Sequence, residues 1–149
     1  MIDANTGNIH LPNGYVITPA LTLDKFRQAW SGRLGWRSQM NGGLVKTFPL
    51  EVNIHFDAQR LARVSLVADL SHVTKDDRQH WIDTKAFHDA LLRNDLGEPD
   101  AFTDTYGMDA PELGKAPNYL RAWGKAVSEF DYGGGDAYIS VEYKNDKAL

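Results

Sequence analysis

A chain of 149 residues with a formal charge of −4, 42% apolar and 24% charged residues is sized for one domain around one hydrophobic core. The absence of cysteine excludes disulfides, thiolate metal sites and thiol nucleophiles. The acidic balance argues against nucleic acid, whose phosphates call for clustered Lys and Arg. No apolar run is long enough to span a bilayer, so no membrane contact is expected. The start Met1-Ile2-Asp3-Ala4-Asn5 lacks the basic and apolar stretches of a secretory signal, and the expected location is the cytoplasm.

The first element is a short hairpin. Asn8–Leu11 and Tyr15–Thr18 flank Pro12-Asn13-Gly14, where Pro presets φ and Asn-Gly tolerates positive φ. Thr22 then offers an N-cap, and Leu21 is placed to staple onto Phe26, which predicts a helix over about 22–32 with Phe26 and Trp30 on one face. Residues 31–43 hold four glycines and an Asn41-Gly42 pair, and read as a loop in which Trp36 is the tryptophan expected to be exposed.

Phe48, Leu50, Val52, Ile54 and Phe56 are apolar at every second position, the period of a strand buried on one face. Ala62, Val64, Leu66, Ala68 and Leu70 repeat the pattern after a turn and complete a hairpin, with Pro49 at its outer end. Thr74-Lys75-Asp76-Asp77 supplies a helix start and Leu96-Gly97 a stop, predicting a helix over about 75–95. Its apolar residues, Trp81, Ile82, Phe87, Leu91 and Leu92, are spread around the axis and define no single buried face. A last hairpin joins 121–131 to 137–144 through Gly133-Gly134-Gly135, and residues 145–149 read as a frayed tail.

Neighbouring paired strands with two helices predict one α+β domain over 1–149. Its antiparallel sheet is built from hairpins, with both helices packed on one face and Val52, Ile54, Phe56, Val64, Leu66, Ile139 and Val141 in the core.

Motifs for catalysis are missing. Asp76, His80, Thr84 and His88 recur every fourth residue on the second helix, a spacing that brings two imidazoles to one side. Metal sites need three or four converging ligands and no HExxH pattern is present, so a solvated or capping role is expected, and no cofactor. The Gly133-Gly134-Gly135 run leads into a strand, not the helix N-terminus that a phosphate cradle requires.

The segment 97–120 stands apart. It carries three prolines and three glycines and reads as a long loop without period; such connections tend to be functional. Glu98, Asp100, Asp104, Asp109 and Glu112 face one base, Lys115, so the whole formal charge of −4 sits here. Phe102 and Tyr106 are interleaved aromatics of the kind that anchor interfaces. The expected partner-binding residues are therefore Asp100, Phe102, Asp104, Tyr106, Asp109 and Glu112, with the acids steering a basic protein partner.

Several stretches form a broader pattern: Gly7-Asn8-Ile9-His10-Leu11-Pro12, Thr22-Leu23-Asp24-Lys25-Phe26, Phe87–Leu92 with Leu96-Gly97-Glu98-Pro99, Tyr119–Gly124 and Ile139–Tyr143. The pattern resembles small bacterial immunity proteins of polymorphic or contact-dependent toxin systems. That resemblance implies neutralisation of a cognate toxin by stoichiometric binding, and it assigns no binding residue. The expected function is a non-catalytic protein-binding module of this type. The alternatives are a small hydrolase or isomerase using His and carboxylates in a cleft, and a structural or regulatory adaptor.

Overall fold

The computed structural model describes residues 1–70, 77–104, 115–131 and 136–144. In chain order these form β1 (Ile9–His10), β2 (Val16–Ile17), α1 (Leu23–Trp30), β3 (Trp36–Gln39), β4 (Gly42–Thr47), β5 (Leu50–Asp57) and β6 (Arg60–Ala68). After them come α2 (Asp77–Leu96), β7 (Ala101–Asp104), β8 (Lys115–Arg121), β9 (Gly124–Asp131) and β10 (Asp136–Tyr143).

The strands β3 to β6 form one antiparallel meander and β7 to β10 a second. β10 returns to pair with β6, giving one eight-stranded sheet of order β3-β4-β5-β6-β10-β9-β8-β7. α2 connects the meanders, while β1 and β2 make a separate two-stranded ribbon. The α+β class with an antiparallel sheet and two helices is as the hydropathy pattern predicts. All seven predicted core residues are buried.

Local chemistry explains α1. The Thr22 hydroxyl accepts the Lys25 N–H at 3.2 Å, satisfying one of the helix's open donors. Phe26 and Trp30 are buried, and Phe26 stacks at 5.7 Å on Phe56 of β5. Leu92 and Leu96 of α2 join the same apolar cluster, so both helices cover one face. The opposite face presents Asn53, His55, Arg63, Glu142 and Lys125 to solvent, the polar half of the alternation.

Four expectations are corrected. Residues 36–39 and 42–43 are strand, not loop. Glycine is required there by close approach: a Cβ at Gly43 would lie 2.9 Å from the Trp36 ring and 3.0 Å from that of Phe26. Trp36 is half-buried and sits edge-on to Phe26 at 5.6 Å. The fifth strand begins at Leu50 because Phe48 and Pro49 form the turn before it, leaving Phe48 exposed. Arg121 ends β8, and the hairpin turn is Ala122-Trp123. The Thr74 cap, Asp76, the glycines 133–135 and the tail 145–149 lie outside the described residues.

The buried face of α2 is the largest surprise. It carries Thr84, Lys85 and His88 as well as Leu92 and Leu96. His88 is 0% exposed, and its Nε2 accepts the backbone N–H of Ala68 at 3.0 Å, so it caps the end of β6 instead of facing water. Lys85, 1% exposed, donates from Nζ to Asp89 Oδ1 at 2.7 Å and to the Lys115 carbonyl at 3.2 Å, tying the helix to β8.

Among the described residues, Thr84 Oγ1, His88 Nδ1 and Ser128 Oγ are buried without a hydrogen-bond partner. A buried hydroxyl without a partner loses its hydration for nothing in return. Ser128→Ala is therefore expected to leave the stability unchanged or raise it by up to about 1 kcal/mol, read from the urea midpoint. A loss of more than about 1 kcal/mol would show that the hydroxyl is bonded, for instance to an internal water.

Candidate functional site

The segment singled out by charge and aromatics is not a plain loop. Its two ends are β7 and β8, paired from Ala101↔Asn118 to Asp104↔Lys115. Proline at 117 and the shortness of β7 hide these strands from a search for alternation.

Gly97 ends α2 with φ of +83°, its N–H donating to the Arg93 carbonyl at 2.9 Å. The chain then turns into β7 under a lock made by Asp100 and Arg121. Asp100 Oδ2 accepts the Leu120 N–H at 2.7 Å and Arg121 Nη1 at 3.0 Å. The second arm of the guanidinium donates to the Leu96 carbonyl at 2.6 Å, and its carbon lies 5.7 Å from the centre of the Tyr119 ring. The Leu120 amide, with Arg121 beside it, holds the Asp100 carboxyl below the usual carboxylate range. Asp100 is thus part of the frame of the site.

Between α2 and the β7–β8 edge runs a groove of about 380 Å³. Ala86, Ala90 and Arg93 line it from the helix, and Phe102, Lys115 and Tyr119 from the strands. Tyr119 is buried and donates its hydroxyl to the Gly97 carbonyl at 3.0 Å. Burial raises its hydroxyl pKa above the ordinary value. Phe102 is paired opposite Pro117 and is 55% exposed, an aromatic ring held at the groove by a strand and half in solvent.

Of the six sequence-predicted residues, Phe102 lines the groove, Asp100 braces its wall and Asp104 ends β7. Tyr106, Asp109 and Glu112 lie outside the described residues. The helical half of the groove was missed. Ala86 and Ala90, one turn apart, are the signal for it, because small residues on one helix face leave room for a neighbour.

A second cleft, of about 370 Å³, opens at one end of the sheet beside Thr22, Arg60, Trp123 and Tyr143. The polar atoms of its rings are already used: Trp123 Nε1 donates to the Ala4 carbonyl and Tyr143 Oη to that of Gly7, each at 2.9 Å. The chain matches no known family model, curated protein or solved structure.

His88 is not placed for acid–base chemistry. Burial, with Lys85 adding repulsion, lowers the His88 pKa to about 3, so its imidazole is neutral near pH 7 and committed to the Ala68 amide. Among the described residues, no three His, Asp or Glu side chains converge as a metal site. No helix there is long and apolar enough to cross a membrane.

Proposed function

We propose that this chain is a non-catalytic protein-binding module of the immunity type, which neutralises a bacterial toxin in the cytoplasm by stoichiometric binding through the α2/β7–β8 groove. The observation that carries the reading is Phe102. A half-exposed aromatic beside an open groove is the anchor-and-pocket arrangement from which interface hot spots are made. The acids Asp104, Asp109 and Glu112 follow it in sequence and would steer a basic partner.

The two groups act on different rates. Complementary charge speeds encounter, and a buried aromatic slows escape. Co-expression with a toxin encoded by a neighbouring gene should restore growth. With the purified pair, Phe102→Ala should raise the dissociation rate by about 30-fold, corresponding to about 2 kcal/mol. Replacing Asp104, Asp109 and Glu112 by their amides should lower the association rate and flatten its salt dependence. Asp100 is left intact in that variant because it holds the β7–β8 frame. Toxin binding that is unchanged in both variants would remove the groove as the interface. Failure to bind any toxin from a neighbouring gene would remove the immunity reading.

A further inference from the structure

The eight-stranded sheet has two edges, β3 and β7, and β3 is described along its whole length with both flanking turns. Lys46 donates its N–H to the Gly35 carbonyl at 2.7 Å, and the register continues through Arg37↔Leu44 to Gln39↔Gly42. In an antiparallel ladder alternate residues exchange backbone bonds with the neighbouring strand. Gly35, Arg37 and Gln39 therefore turn their backbone groups to β4, while those of Trp36 and Ser38 point away from the sheet.

Native edges are blunted by shortness, charged side chains, proline, a bulge or a covering element, and β3 has the first two of these, with four residues and Arg37. The sequence Trp36-Arg37-Ser38-Gln39 has no proline, and its register with β4 is unbroken. At its two ends Leu34 and Met40 are 97% and 87% exposed. An open strand bracketed by bare apolar side chains is a template for another strand.

We propose that β3 pairs antiparallel with β3 of a second copy of this chain, about a two-fold axis through Ser38. The outward backbone groups of Trp36 and Ser38 allow three symmetric registers, and the one centred on Trp36 fails because it needs Leu34 and Gly35, a turn with φ of +80° at the glycine, to continue the ladder. Two remain. One, centred on Arg37, sets two guanidinium groups directly opposite each other, which is destabilising. The other, centred on Ser38, sets Arg37 against Gln39 of the second copy, and does so twice. It also places Trp36 beside Met40, a favourable aromatic–thioether contact. The Met40 carbonyl already accepts Arg27 Nη2 at 2.9 Å, and its second lone pair stays available. The strand is thus complementary to itself, and two-fold pairing uses both copies of the edge, closing the assembly at a dimer.

Sedimentation equilibrium of the full chain, up to roughly millimolar concentration, tests this. A monomer–dimer equilibrium is expected. Gln39→Glu should tighten it and Gln39→Arg should loosen it, each by about 2- to 30-fold, because the altered pair with Arg37 occurs twice per dimer. Position 39 is exposed, so circular dichroism should show both variants folded. A chain that stays monomeric throughout overturns the proposal. If the Gln39 variants of such a monomer alter toxin binding, the edge takes a foreign strand instead. A dimer indifferent to both substitutions also overturns it, since in the register centred on Arg37 residue 39 faces Gly35. Toxin neutralisation plays no part in the dimer measurement, so this proposal and the functional one fail separately.

Discussion

Lowering the pH from 6.5 to about 4.5 is expected to cost the folded chain about 2 kcal/mol through one residue, His88. Its ordinary pKa of 6.5 applies to the unfolded chain, and burial beside Lys85 lowers it to about 3 in the fold. Between those values the unfolded state binds a proton that the folded state refuses. The stability is therefore complete above pH 6.5 and is lost as the pH falls toward 3, by roughly 4–5 kcal/mol in all. Protonation also destroys the acceptor that holds the Ala68 N–H, so the α2–β6 contact is lost in the same event. Asp3 and Asp100 have carboxyl pKa values lowered by backbone N–H groups, and they add acid sensitivity only below their ordinary value of 3.8. Above about pH 4.5 these two carboxyls therefore do not compete with His88. His88→Gln keeps an acceptor for Ala68 but does not titrate. Urea unfolding at several pH values should show a slope of about 1.4 kcal/mol per pH unit in the parent and a nearly flat profile in the variant. Equal slopes would mean that another group controls the transition.

Gly42→Ala is expected to destabilise the chain by about 3 kcal/mol or more. A Cβ at this position would overlap the backbone carbonyl oxygen of Ile54 and lie 2.8 Å from its carbon. Backbone atoms of a central strand have no rotamer into which to retreat, so β4 would have to move off β5. That would disturb the pairing beside the register shift between His55 and Phe56. Gly14→Ala is the control. Its Cβ would meet nothing within 4 Å, and the cost is only that of holding φ of +90° with a side chain, about 1 kcal/mol. Urea midpoints for the two variants measure the difference. Equal costs would mean that β4 does not approach β5 as closely as the structure places it.

How legible each element was depended on whether its reason for forming is local. The alternation of Val52, Ile54 and Phe56 with Asn53 and His55 declares a one-sided strand. Thr22 with Phe26 and Trp30 likewise declares a capped amphipathic helix. Gly42 and Gly43 misled because the same residue marks a turn and a close approach, and only the neighbouring strand tells them apart. Phe102 was picked out as an anchor from its acidic, proline-rich surroundings, but the groove beside it is half helix, and nothing in the segment names Ala86, Ala90 or Arg93 as its opposite wall.

Hydropathy period, caps and turn residues, acting within a few neighbours along the chain, determined by themselves the α+β class, the hairpins and the apolar side of β5, β6 and β10. Tertiary structure alone decided that the meanders join through β6 and β10, that His88 and Lys85 lie under α2, and that β7 frames a groove. Each of these depends on atoms brought together from distant parts of the chain: the amide of Ala68, the carbonyl of Lys115 and the carboxylate of Asp100. Burying a polar side chain is tolerable only where such a partner waits, and sequence spacing does not encode where that partner will be.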